Sequence, residues 1–371
     1  MNTPDPGWGG PDPGWGGRTN GGNGEDHKTG KVKTYDEKQR SKGKDQRSKQ
    51  SKDRSTKIKS ASVSKTLRTW TDDDVLDFGL SLVGFGTKRQ KVRPEQNTKR
   101  FRAHYGVGPK AIAALLKDLS PPEPDKSWSK KYVKKLLMGV CWLKLYETEE
   151  VMAGRWDCGE ETCRNTVKKY TSQIQSLKPL KITFDGMDPK LKWLFIDGVH
   201  FITEEMRTDP DSKWWSHKSN GPGFAYEVVL DTVEYVARWT NGPKPAGVHD
   251  LTFLRGGTVK MGKKNWDRSA LYWNIPRGVR LCGDSGYTGQ DDLVSTTDDA
   301  HGKDTKELFA RFKSRQETYN ARLKSFGVLS QKFRHGKNGL QSKLDLHQTC
   351  FDSITVLVAY DMENGHPLFE V

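Results

Sequence analysis

A chain of 371 residues with 62 Lys and Arg against 47 Asp and Glu carries a net charge of +15. That length has room for two or three domains, and the charge points to a polyanionic partner, nucleic acid ahead of an anionic membrane surface. No apolar run approaches the roughly 18 residues of a membrane span, the first residues lack the apolar core of a secretion signal, and five irregularly spaced cysteines argue against a disulfide framework. A soluble, intracellular protein with no membrane partner is expected. Cys158 and Cys163 lack a matching Cys/His pair nearby, so no structural zinc is expected.

Residues 4–10 and 11–17 are the same heptad, Pro-Asp-Pro-Gly-Trp-Gly-Gly. Beyond them the chain is rich in Lys, Arg, Ser and Gln, and residues 1–68 hold 16 Lys/Arg against 8 Asp/Glu. Residues 1–69 are read as a disordered basic tail, because so little apolar surface cannot offset the entropy of ordering. A solvated tail is one account of it; nuclear import and sequence-independent phosphate contacts are the other.

A helical region is expected at 70–185. Thr71 and the three aspartates after it cap a helix over 75–82. Residues 101–119 read as a short helical pair, ended by Ser120-Pro121-Pro122, and 132–146 as an amphipathic helix. A helix at 149–156, the tight turn Asp157-Cys158-Gly159 and a helix at 160–175 make a helix-turn-helix pattern at about 148–175. Cys163, Val167, Tyr170 and Ile174 would face inward. Arg164, Asn165, Lys168 and Lys169 would face outward, residue types that contact phosphates and base edges. A purely structural helical hairpin reads the same way.

From Leu191 the period changes. Residues 191–196, 224–230, 235–239 and 279–282 read as strands, the second and third joined as a hairpin through Asp231-Thr232-Val233-Glu234. A short helix is expected at 249–254, a long one at 304–329 with a break near Phe326-Gly327, and a closing helix at 342–360 where a strand is also allowed. A mixed α/β sheet covered by helices is expected over 186–371.

Three acids stand out. Asp197 ends the first apolar run, stopped by Gly198; Asp284 ends another, before Ser285-Gly286; Glu317 lies in the long helix. Brought together, they suit two Mg²⁺ or Mn²⁺ ions about 3.5–4 Å apart on a phosphodiester. Asp197 would bridge the ions, with Asp284 and Glu317 each completing one position. Arg315, Asn320, Arg322 and Lys324, close to Glu317, would steady phosphates. Against this, among 47 acidic residues some triple fits any spacing, and Asp-Gly is an ordinary turn signal. Asp250 is read as a helix N-cap ahead of an extra ligand. His200 and His249 are read as satisfied core histidines, Asp291 and Asp292 as solvated. Trp214 and Trp215 are read as packing residues, with base stacking the alternative.

Phe195-Ile196-Asp197-Gly198-Val199-His200, Gly247-Val248-His249-Asp250, Gly283-Asp284-Ser285-Gly286-Tyr287 and Arg315-Gln316-Glu317-Thr318-Tyr319-Asn320 occur in that order. Over about residues 130–371 the chain resembles the DDE superfamily endonucleases of Harbinger-type (PIF/Harbinger) DNA transposons. The resemblance implies an RNase H-like catalytic domain and an upstream helix-turn-helix. It gives Asp197, Asp284 and Glu317 as the catalytic, metal-binding acids. It also implies a nuclear enzyme that cuts double-stranded DNA at transposon ends and joins strands, alone or as a homo-oligomer, with a Myb-like accessory protein as a further partner. A domesticated, non-cutting DNA-binding protein of the same fold is the alternative. The family's aromatic-Ser-Gly-Lys segment stands here as Trp214-Trp215-Ser216-His217-Lys218, a departure that bears on substrate positioning.

Overall fold

The structure, a computed structural model, describes residues 69–120, 128–296, 299, 301–335 and 339–369. The expected basic tail lies outside the described residues, save for residue 69.

Helix α1 (Asp72–Leu82) begins one turn earlier than its apolar residues suggest. The Thr71 hydroxyl accepts from the Asp74 amide, and the Asp74 carboxylate accepts from the Thr71 amide in return. Three aspartates in its first turn sit at the positive end of the helix dipole. Helices α2 (Asn97–Tyr105) and α3 (Pro109–Asp118) are the expected pair. Gly106 separates them at φ 78°, and a Cβ there would strike the Phe326 ring at 2.5 Å, so glycine is required twice over. Helix α4 (Lys130–Leu145) buries Val133, Leu136, Leu137, Val140 and Leu143. Helices α5 (Glu149–Trp156) and α6 (Glu160–Gln175) take the expected bounds, with Asp157 in the left-handed region at the turn. Cys163, Val167, Tyr170 and Ile174 form the buried stripe of α6.

The sheet contains β1 (Trp193–Ile202), β2 (Trp215–Ser216), β3 (Gly221–Asp231), β4 (Ala237–Pro245), β5 (Arg280–Gly283) and β6 (Val294–Thr296). Its order is β2-β3-β1-β5-β6, with β4 also paired to β3. The β1–β3 and β3–β4 pairs are antiparallel, while β1–β5 and β5–β6 are parallel. The β3–β4 turn is organised by Asp231, whose carboxylate accepts from the amides of Val233, Glu234 and Tyr235 and pairs with Arg238. Tyr235 takes φ 57° inside that turn, so the second strand starts at Ala237 and not at Tyr235. Pro243 and Pro245 fit β4 because it is an edge strand.

Helices enclose the sheet. Leu194 and Ile196 pack with Leu254 of α7 (Asp250–Arg255) and with Leu271, on one face. Phe195 packs on Phe309 and Phe312 of α8 (Lys303–Lys324), on the other. The break near Phe326 separates α8 from α9 (Gly327–Ser330), and the closing segment is the helix α10 (Leu340–Glu363), not a strand. Strands β2 and β6 were not foreseen. One hydrophobic core joins Val75, Phe101, Leu136 and Tyr170 to Phe201, Tyr226, Phe351 and Tyr360, so the helical stretch and the sheet share it. His347 sits fully buried in that core, its Nδ1 2.7 Å from the Tyr226 hydroxyl. Burial pulls its pKa down to about 3, leaving it neutral.

Strand β1 corrects one expectation. Asp197 does not end the strand, and Gly198 does not stop it. The strand continues to Ile202 because 197–202 pair with 223–228 of β3. On its other edge, pairing with β5 ends at Phe195 opposite Cys282.

Candidate carboxylate site

That register sets the level of the first two acids. Asp197 lies two residues beyond Phe195, and Asp284 two beyond Cys282. Both therefore emerge just past the last bonded pair of two parallel strands, the crevice where open α/β sheets hold ligands. Helix α8 crosses this edge with Lys313, Gln316, Glu317, Asn320, Ala321 and Lys324 on one face. Asp197, Asp284 and Glu317 thus line one cleft of about 460 Å³, together with His200, Lys218 and these α8 residues.

The cleft is acidic inside and basic at its rim. Burial raises the Asp197 carboxyl to about 6; Asp284 and Asp250 push the same way, while Lys218 and the Asn320 amide act against them. Asn320 Nδ2 donates to Asp197 Oδ2 at 2.8 Å, and Lys218 Nζ donates to the Gly198 carbonyl at 2.9 Å. Half-buried Lys324 is depressed by desolvation and held up by Asp197. His200 is brought down to about 4 by burial, then by Lys218 and Lys324, so it is neutral, with Nδ1 2.7 Å from Ser216 Oγ.

Two residues here were misjudged or missed. Asp250 is not the N-cap of α7; His249 is, its ring nitrogen accepting from the Leu251 amide. Asp250 is the first helical residue and turns toward the sheet, where a Cβ on Gly198 would collide with its Oδ1. Burial raises its pKa, as does Asp284. Gln316 lines the cleft at 1% exposure with neither amide atom hydrogen-bonded. The only sequence signal for Asp250 was its place in His249-Asp250; nothing local marked Gln316.

The other predicted contacts are dispersed. On α6, Arg164, Asn165, Lys168 and Lys169 are all exposed. Arg164 Nε donates to Glu149 Oε1 at 2.8 Å, and Lys169 lies over the Tyr170 ring. Arg315 does not line the cleft; its guanidinium stacks on Phe369, 3.2 Å from the ring centre. Arg322 donates to the carbonyls of His366 and Pro367. Trp214 is packed against Phe224 while Trp215 is 41% exposed.

As they stand, no three His, Cys, Asp or Glu side chains among the described residues are gathered tightly enough to hold a metal ion. The oxygen donors of Asp197, Asp284 and Glu317, with the unmet amide of Gln316 beside them, suit a hard divalent cation by type. The molecule is therefore a mixed α/β protein with helices around its sheet and an acid-lined, lysine-rimmed cleft at the strand ends. No protein-family model, no curated protein and no solved structure matches the chain.

Proposed function

We propose that this protein is a metal-dependent DNA endonuclease of the Harbinger DDE type, with an RNase H-like catalytic domain over 186–371 and Asp197, Asp284 and Glu317 as its acids. The observation that carries the reading is that two strand-edge aspartates and a helix glutamate, far apart in sequence, line one cleft beside Lys218 and Lys324. Two Mg²⁺ or Mn²⁺ ions, when bound, would activate the attacking oxygen and relieve charge on the leaving oxygen of a phosphodiester. The chain's own groups do the rest. Asn320 fixes the Asp197 carboxylate by its hydrogen bond. Lys218 and Lys324 supply positive charge where a phosphate backbone would enter. The neutral His200 adds no repulsion toward cations.

Full-length protein with supercoiled DNA and Mn²⁺ tests this. The parent should nick the DNA and stop on chelation, while Asp284→Asn should fall by at least about 100-fold. Equal nicking by both would mean that Asp284 plays no part. A second reading, a domesticated DNA-binding protein that does not cut, draws support from the ungathered acids and from the Lys218 and Asn320 bonds at the site. It requires absence of nicking from parent and variant alike.

Helices α5 and α6 are the proposed helix-turn-helix, with double-stranded DNA at transposon ends as the partner and the nucleus as the place of action; a Myb-like accessory protein and self-association belong to the same proposal. Since Arg164 is paired with Glu149, Lys168 and Lys169 should carry more of the phosphate contact. Lys168→Ala is expected to reduce the slope of log affinity against log salt by about 1. Arg164→Ala should change it less. An unchanged slope for Lys168→Ala, measured by fluorescence anisotropy, would remove α6 from the interface.

A further inference from the structure

Asp250 reaches the cleft edge from the face of the sheet opposite Asp197, and two glycines make that approach possible. At Gly198 any Cβ would meet Asp250 Oδ1. At Gly286 a Cβ would lie 2.8 Å from Asp250 Oδ2 and 2.9 Å from Asp284 Oδ1. Carboxylate oxygens of Asp250 and Asp284 therefore flank one small space left by a missing side chain. The buried Tyr287 phenol marks the same gathering: burial raises it first, and then the charges of Asp250, Glu227, Asp197 and Asp284 do.

A second observation comes from β3. Glu227 is paired opposite Gly198 in the antiparallel ladder, so its side chain leaves the sheet on the face from which Asp250 approaches. It is fully buried, and its Oε2 has no hydrogen-bond partner. On the α8 side, Gln316 lines the cleft with an unmet amide. Buried polar atoms without partners are uncommon in folded proteins and call for a bound group. Two of them flank these acids.

We infer that Asp250 is a fourth carboxylate ligand, which with Asp284 holds one of two divalent cation positions. This rests on the endonuclease reading above. The class of ligand is a hard divalent cation, Mg²⁺ or Mn²⁺, which prefers carboxylate oxygen and retains several waters. Lys218, whose charge is felt by both Asp197 and Asp250, is the resident cation that must yield as metal enters.

Direct binding of Mn²⁺ to the full chain, followed by loss of the free-ion electron paramagnetic resonance signal, tests the assignment without activity. The parent should bind two ions. Asp250→Asn should weaken one of them at least tenfold and leave the other within twofold, whereas Asp197→Asn should weaken both. Unaltered stoichiometry and affinity in a folded Asp250→Asn protein would overturn the role of Asp250 while leaving the endonuclease reading in place. Failure of the parent to bind Mn²⁺ at all would overturn both. Should Asp250→Asn not fold, Asp250→Cys offers a second measurement. A thiolate ligand should shift one position from Mn²⁺ toward Cd²⁺ relative to the parent, and an unshifted preference overturns the proposal.

Discussion

Replacing Asp197 with asparagine is expected to abolish metal-dependent nicking and, in the same protein, to stabilise the metal-free chain by about 3 kcal/mol at pH 8. The two signs have one cause. Asp197 is held up at about 6 by burial, with Asp284 and Asp250 adding to it and Lys218 and Asn320 opposing. An unfolded aspartate sits at 3.8, so the folded protein binds this proton more tightly than the unfolded chain. Stability is unpenalised below 3.8, falls as pH rises from there to about 6, and carries the full cost above. Asparagine never ionises, so the gain should be complete at pH 8 and absent below pH 4. Urea unfolding at the two pH values measures it. Added Mn²⁺ should reverse the order by stabilising the parent and not the variant. A merely structural carboxylate would lose stability on replacement, and that result would remove Asp197 from the site.

The elements that depend on local pattern were legible before the fold was known. The buried stripe of α6, the hairpin at Asp231 and the break at Phe326 each follow from neighbours a few residues apart. What placed the acids together was not local. Gly198 after Asp197 reads as a stop, yet pairing with β3 carries the strand through it. The level of Asp197 with Asp284 comes from the parallel β1–β5 register, which joins segments with a hairpin and α7 between them. Asp250 was hidden for a related reason. Two adjacent residues were suitable N-caps, and choosing His249 freed the aspartate to enter a space that exists only because Gly198 and Gly286 lack side chains. Arg315 shows the reverse error: its nearness to Glu317 in sequence suggested the cleft, while its position on α8 turns it onto Phe369.

The steepest pH effect is expected at Glu227. Burial raises this carboxyl to about 8, Asp250 adds to it, and the Trp239 indole, donating to Oε1 at 3.2 Å, offsets only part. At neutral pH the group is therefore a neutral acid inside the sheet. Against 4.5 for an unfolded glutamate, the folded state keeps its proton far longer, so stability is full below 4.5, declines between 4.5 and 8, and levels off above. The whole decline is roughly 5 kcal/mol, comparable to the net stability of many domains. Glu227→Gln keeps the acceptor for Trp239 and cannot ionise. Its unfolding free energy should match the parent near pH 4.5, stay level as pH rises, and exceed the parent's by several kcal/mol at pH 9. Parallel curves for the two proteins would mean that water or a cation reaches Glu227 and neutralises its cost. Because the carboxyl stands on the sheet face from which Asp250 approaches, added Mn²⁺ should then flatten the parent's decline as well. Stability curves with and without metal separate the two cases.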